Sequence, residues 1–426
     1  MAVGYKTTTA AAVMLTVVVL LLSWVTPTTS ALVSRSSFIT NSISAAVGAM
    51  IQPASAVAAY TSILSSTTKS NRLASSSASM NDNSSGNIEK STVVYQPLSV
   101  TVSGVEVPVA AWHPPVKDST TTKMQPLDSY KHRISVQKIG KKLAGWDFIP
   151  SFANRNFALR PSAQNSNVRV VTTSTVGQQQ QHQQLPSSTA VVLLAHGYLG
   201  SRYDMSHLAE QLSSEGFLVL SPEYPESLAD SYDEPTIIDR DMITNQLLMT
   251  LQQTWKVTPT SFGIVGHSLG CGTAERSGDD SWVRVCLAGF PSSRGNGSKC
   301  LFVGSMNDGA VSINRALSVL RDNNYVNLEE DMIRSIMAAG QQLPSIPSKA
   351  SLIFAGDFAP NHISFLSEET NDAMVDFLSP LLPVARALQI PVLDFDKYQL
   401  SRDSRSCGDV VVPLVVGYLK QNLSNE

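Results

Sequence analysis

The spacing of apolar residues changes character near position 190. Before it, "LSVTVSGVEVPVAAWHPP" (98–115) alternates apolar and polar positions around Gly104, and this period of two predicts a hairpin. Residues 133–136 predict one more strand. Residues 141–188 keep no period and read as irregular chain, with the Gln-rich run "QQQQHQQ" making 177–188 a solvated loop. From Ala190 onward, uninterrupted apolar runs take over: "AVVLLAHG", "GFLVLSP" (216–222), "SFGIVG", "WVRVCLAGF" (282–290), "CLFVGS" (300–305) and "ASLIFAG" (350–356). Such runs suit strands buried on both faces. Between them the period lengthens. Leu208 and Leu212 lie one turn apart after Asp204, which predicts a helix over 205–214 capped by that aspartate. Ile238, Met242, Leu248, Leu251 and Trp255 mark a helix over 237–255, and further helices are expected at 313–321, 328–339 and 411–420.

Strands alternating with helices imply the α/β class, a mostly parallel central sheet with helices on both faces. In such sheets chemistry gathers beyond the carboxyl ends of the strands. The informative residues are therefore the polar ones just after each apolar run.

Composition narrows the field. The chain has 426 residues, 43% of them hydrophobic, which is ample for a large core. A net charge of -3 with no long Lys/Arg run gives no reason to expect nucleic acid. The four cysteines, Cys271, Cys286, Cys300 and Cys407, form no CxxC pair, so no disulfide scaffold or metal site is expected; a Cys286–Cys300 bridge is left open.

The N-terminal part stands apart. No Asp or Glu precedes Asp82. Lys6, the apolar run "AAAVMLTVVVLLLSWV" (10–25) and "TPTTSA" follow the n-, h- and c-region order of a signal peptide over 1–31, with an uncleaved anchor as the alternative. Residues 32–92 are rich in Ser and Thr, carry Arg35, Lys69 and Arg72, and read as a disordered transit-like segment. Together these resemble the bipartite plastid presequence of algae with secondary plastids, which implies a plastid destination. The alternative is secretion or the endomembrane system, where the Asn296 sequon could be glycosylated. The folded domain is expected over 93–426.

Four polar clusters follow the buried runs: "HGYLG" after 190–195, "GHSLG" after 261–265, "MNDG" after 300–305 and "GDFAPNH" after 350–355. A serine hydroxyl needs exposure and a neighbouring base to act as a nucleophile. Gly266-His-Ser268-Leu-Gly270 supplies exposure, because so tight a strand-to-helix turn leaves no room for side chains at 266 and 270. Of the seven histidines, only His362 lies beyond the serine and after the last strand, which makes it the expected base. His196 is expected to brace its loop, and His267 to point away from its neighbour Ser268. Asp308 has the place and chain order of an acid that orients an imidazole. Asp357 is its rival, and a helix N-cap is the alternative role for Asp308. An oxyanion would need two backbone donors, expected from Leu269 and Tyr198. No cofactor is called for.

These residues resemble an α/β-hydrolase, over roughly three quarters of the chain. "HGYLGSRYDMSHLAEQLSSEGFLVLSPEYPES" (196–227) is similar to the matching stretch of platelet-activating-factor acetylhydrolases, dienelactone-hydrolase-like proteins and chlorophyllases. "APNHISF" and "VVVPLVVGYLK" also resemble chlorophyllases. The acetylhydrolases and chlorophyllases carry their acid one strand earlier, where this chain reads "CLAGFPSS" without a carboxylate. The resemblance implies the α/β-hydrolase fold and a serine ester hydrolase working through an acyl-enzyme. The helices at 313–339 could wall an apolar pocket or simply cover the core. A hydrophobic ester, chlorophyll or lipid, is the implied partner, which leaves room for peripheral membrane contact. A non-catalytic binding protein is the reading from another class.

Overall fold

The computed structural model describes residues 92–116, 124–144, 150–151, 154–162, 167–171, 185–230, 238–294, 298–379 and 400–423. The expected signal peptide and transit-like segment, nearly all of the Gln run and the Asn296 sequon lie outside them. The chain divides at Glu89/Lys90, and every described residue belongs to the unit Lys90–Glu426.

Strands β1 (Val93–Val102) and β2 (Val105–His113) form the expected antiparallel hairpin, with Val102 opposite Val105. Ser103 and Gly104 both take positive φ, 49° and 83°, and this left-handed pair matches the twist of the two strands. The hairpin joins a long sheet through β8 (Leu218–Pro222), to which β2 runs antiparallel. Beyond it lie β7 (Ser188–Ala195), β9 (Thr258–His267), β10 (Val283–Leu287), β11 (Lys299–Ser305) and β13 (Lys349–Phe354), all mutually parallel. The sheet reads β12-β13-β11-β10-β9-β7-β8-β2-β1-β6-β3, its edges being β12 (Val326–Leu328), β6 (Val168–Val171) and β3 (Met124–Pro126).

The continuous apolar runs are explained by burial on both faces. Val191 through Ala195 are fully buried. One face is covered by α2 (Ser206–Ser214) and α8 (Ser404–Leu423), which bring Leu208, Leu212, Val411, Leu414, Val415 and Leu419 onto the sheet. Gly263 makes room for α8: a Cβ there would lie 3.0 Å from Leu423 and 3.1 Å from Leu419. The other face packs α3 (Arg240–Gln253) through Ile243, Leu247 and Leu251, while α4 (Leu269–Arg276) and α5 (Ile313–Asp322) meet around Cys271, Cys286, Phe302, Ala316 and Leu320. Burial of a leucine in such a core contributes about 1.5–3 kcal/mol. All four cysteines are free thiols. No described helix is long and apolar enough to cross a membrane.

The structure corrects several expectations. Residues 141–188 hold order: α1 (Val136–Ala144), β5 (Arg155–Leu159) and β6, with β5 pairing to β4 (Tyr130–Ile134) in a separate two-stranded sheet. The strand expected at 133–136 is β4, beginning earlier and ending at Ile134. Asp204 does not cap α2. The N-cap is Met205, with no side-chain bond, and the buried Asp204 carboxylate instead accepts the Ser201 hydroxyl at 3.0 Å. The helix expected over 328–339 starts two residues into that range, as α6 (Glu330–Ala338), because β12 takes its first residue and Glu329 is the N-cap. A further helix, α7 (Glu368–Leu378), follows the last strand.

Candidate active site

Ser268 sits where β9 turns into α4, with φ 56° and ψ -118°. A non-glycine residue so placed stores strain of about 1–3 kcal/mol and must be held by its surroundings. The hold comes from both sides: Ser268 N–H donates to the Leu287 carbonyl at 2.9 Å, and its own carbonyl accepts Cys271 N–H at 3.0 Å. The flanking glycines are sterically required. A Cβ on Gly266 would lie 2.3 Å from the Gly270 carbonyl group, and one on Gly270 would lie 1.9 Å from Ala195 O. Gly289 plays the same part after β10, since a Cβ there would lie 2.7 Å from Ser268 O.

His362 occupies a single 3-10 turn, His362–Phe365, beyond β13. Its Nε2 lies 2.9 Å from Ser268 Oγ, and its Nδ1 lies 2.9 and 3.0 Å from the two Asp308 carboxylate oxygens. His362 and Asp308 are both about 95% buried. Asp308 is fixed three ways. Its Oδ1 accepts N–H from Ala310 and Val311, and its carbonyl accepts His362 N–H at 2.9 Å. Asp308 is not the helix N-cap offered as its alternative role: α5 takes Ser312 as N-cap, and the Asp308 carboxylate closes only the turn at Ala310 and Val311 ahead of it. The rival Asp357 is exposed. Between the two loops, Asn307 donates through Nδ2 to the carbonyls of Gly356 and Asp357.

The "HGYLG" turn lies against the serine: a Cβ on Gly197 would come within 3.0 Å of Ser268 Cβ. His196 is its brace. Its Nε2 accepts Tyr224 N–H at 2.9 Å, so its proton lies on Nδ1, which donates to Gly197 O at 2.8 Å. Burial, then the nearby Arg240 cation, hold this ring neutral. Arg240 donates to the carbonyls of His196 and Gly197 at 2.9 and 3.4 Å, lies 4.5 Å above the Tyr224 ring, and pairs with Glu226 at 3.0 Å. Because a trans peptide is planar, fixing Gly197 O toward Arg240 turns Tyr198 N–H the opposite way. Leu269 N–H is the first of α4, a position with no acceptor inside the helix.

Sequence reasoning missed three contributors: Arg240, Asn307 and His267. Each acts on a loop distant along the chain, so no local pattern marks it. His267 does point away from Ser268, as expected, but its Nε2 reaches the His362 carbonyl at 3.0 Å. The helices α5 and α6 cover the core through Ala316, Leu320 and Ile333 and leave Leu317, Met332 and Met337 exposed. Among the described residues no cluster of His, Cys, Asp and Glu suits a metal ion.

No protein-family model and no curated protein matches the chain. Among solved structures it is similar to a ferulic acid esterase from Streptomyces cinnamoneus, at 14% identity over 78% of this chain and 91% of that one, with a TM-score of 0.42. It is also similar to an esterase from Pyrococcus furiosus, at 12% identity over 67% and 92% of the two chains, with a TM-score of 0.32. The fold assignment rests on this chain's own topology. Apart from the edge strands β12, β6 and β3, the sheet order is β1-β2-β8-β7-β9-β10-β11-β13, with β2 alone reversed. With Ser268, Asp308 and His362 following β9, β11 and β13 in turn, this is a protein of the α/β-hydrolase fold.

Proposed function

We propose that this protein is a serine carboxylic-ester hydrolase that acts on a hydrophobic ester through an acyl-enzyme. The observation that carries the reading is the unbroken contact chain from Asp308 through His362 to Ser268. In this reading His362 Nε2 takes the proton of Ser268 as Oγ attacks the ester carbonyl, and the Asp308 carboxylate stabilises the imidazolium. The oxyanion receives hydrogen bonds from Leu269 and Tyr198 N–H, each donor contributing on the order of 100- to 1000-fold to kcat. Collapse breaks the ester bond, and His362 returns its proton to the leaving alcohol. Water, deprotonated by the same nitrogen, then attacks the acyl-enzyme, and Ser268 recovers its proton as the acid leaves.

Exposed apolar side chains support a hydrophobic substrate. Tyr198 and Leu269 neighbour the serine, Phe290 follows Gly289, Met306 precedes the acid by two residues, and Phe358 stands in the histidine loop at 73% exposure. Exposed apolar side chains on the loops that carry Ser268, Asp308 and His362 support a substrate with apolar surface. The acid-free N-terminal segment supports a plastid destination, where the phytyl ester of chlorophyll is the natural substrate of this class; delivery to the endomembrane system would favour a phospholipid or other acyl lipid.

The test is a fluorophosphonate probe followed by an ester panel. Wild type is expected to label and Ser268→Ala not to. Equal labelling of the two, or none of either, removes the enzyme reading. Chlorophyll a and a short-chain phospholipid then separate the ester classes: failure to release chlorophyllide removes the chlorophyllase reading. A fluorescent fusion of residues 1–80 reports the compartment.

A further inference from the structure

We infer that His267 is a positioning residue for the base, holding His362 in reach of the nucleophile by donating a hydrogen bond from Nε2 to the main-chain carbonyl of His362. The inference rests on the triad reading given above. His267 is the last residue of β9 and is 96% buried, with its ring 4.9 Å from that of His362. A carbonyl oxygen can only accept, so the 3.0 Å contact requires the proton on Nε2. Nδ1 is then a bare acceptor. It is buried, has no hydrogen-bond partner, and faces Gly197, where a Cβ would lie 3.1 Å away. The opposite tautomer would leave a buried donor unpaired there and set two acceptors against each other at the His362 carbonyl. Burial, and then the neighbouring His362, push its pKa down to about 3, so the ring is neutral across the working range.

A phenyl ring would fill this space without burying an unsatisfied nitrogen, and an unpaired buried acceptor costs stability. What the imidazole supplies in return is the donor. With it, the His362 residue is tied at both ends of its main chain, N–H to Asp308 O and carbonyl to His267. His267 and Ser268 are adjacent in sequence, so nucleophile and base are set relative to one another through one peptide bond and one hydrogen bond. Displacements near 1 Å at such a contact can lower rates about 100-fold.

The test compares His267→Phe with His267→Gln, whose amide offers a donor in similar reach. On p-nitrophenyl butyrate, His267→Phe is expected to lower kcat roughly 10- to 100-fold with KM within about twofold, and His267→Gln to recover most of the loss. Thermal melts of both variants identify any that fail to fold. In parallel, long-range proton–nitrogen spectra of the imidazoles are expected to show wild-type His267 neutral with its proton on Nε2, and the His362 signals displaced in His267→Phe. A folded His267→Phe enzyme with wild-type kcat, equal losses in the two variants, or a His267 that is cationic or protonated on Nδ1 overturns the inference. If the wild type cleaves no ester, the hydrolase reading fails while the spectra still decide the contact.

Discussion

Nη1 of Arg240 lies 2.9 Å from the carbonyl oxygen of His196, 44 residues earlier in the chain, so the first turn of α3 holds the loop that faces Ser268. The guanidinium spends its donors on the carbonyls of His196 and Gly197, the Thr273 hydroxyl and Glu226. Arg240→Met keeps an unbranched apolar stem and removes every one of these bonds. Loss of a charged hydrogen-bond donor is expected to cost about 2–3 kcal/mol of stability. With the Gly197 peptide free to turn, kcat on an ester should fall roughly 10- to 100-fold, short of the loss of a whole oxyanion donor. Arg240→Lys should recover only part, since an ammonium cannot reproduce the planar fork. Thermal melts and ester kinetics on the two variants check this.

Two aspartates competed for the acid role in the sequence, and they are separable by substitution. Asp308→Asn keeps an oxygen for the N–H groups of Ala310 and Val311 but presents an amide where a carboxylate met His362. The imidazole then loses its orienting acceptor, and kcat is expected to fall about 10,000-fold, the loss typical of such a change. Asp357→Asn touches only an exposed carboxylate and should leave kcat within about twofold. Equal effects in the two variants would mean that the acid has been misassigned.

How much of this was legible in the sequence follows from how local each signal is. The buried strands β7 to β11 and β13 could be read because burial on both faces writes an uninterrupted apolar run. Ser268 could be read because glycine at 266 and 270 is a local steric demand. The chain order of Ser268, Asp308 and His362 followed from their placement after successive strands. The weakly apolar β4 and β5 were not fully legible: they lie outside the main sheet, paired to each other with one further bridge from Ile134 to Ala229, and "RNFAL" carries too few buried positions to establish a period. α1 lay across the start of the stretch read as irregular, and β12 is a three-residue edge strand with one buried side chain. Asp204 was misread because an aspartate before an amphipathic run has the local signature of a cap, yet tertiary burial gave it the Ser201 hydroxyl instead. Arg240 and His267 act across loops, and spacing along the chain says nothing of which loops will meet.

The elbow glycines differ in how much room they have, and their alanine variants should differ accordingly. At Gly270 a Cβ would sit 1.9 Å from the main-chain oxygen of Ala195, which is part of a central strand and cannot retreat. Gly270→Ala is expected to destabilise the protein by about 3 kcal/mol or more. At Gly197 the added carbon would meet Ser268 Cβ at 3.0 Å and His267 Nδ1 at 3.1 Å, contacts that relax by a few tenths of an ångström. Gly197→Ala should therefore melt within a few degrees of wild type while losing ester hydrolysis, because the strain falls on the nucleophile and the donor loop. Paired melts and rates on the two variants decide it; a Gly270→Ala protein as stable as wild type would contradict the packing described.

Buried titratable groups set a stability profile with a maximum. Burial pushes the Asp204 carboxyl up to about 7 and the Glu210 carboxyl up to about 8, the latter despite hydrogen bonds from Tyr130 and Ser162. A raised carboxyl stabilises fully below its unfolded pKa, near 4, and that contribution is lost as pH rises through the folded values. Burial also holds His132 and His267 down to about 3 and His207 to about 4. A lowered imidazole stabilises fully above about pH 6.5 and loses that contribution as pH falls toward the folded value. Below about pH 6.5 the histidines outnumber the two carboxyls, so stability should rise with pH; above it only the carboxyls titrate, and stability should fall until about pH 8. The melting temperature is thus expected to peak near pH 6.5. Glu210→Gln, which cannot ionise, should flatten the alkaline limb and steepen the acid limb, where Asp204 alone then opposes the histidines. Melting curves of wild type and variant from about pH 5 to about pH 9 measure both limbs, and an unchanged alkaline slope in Glu210→Gln would remove Glu210 as its source.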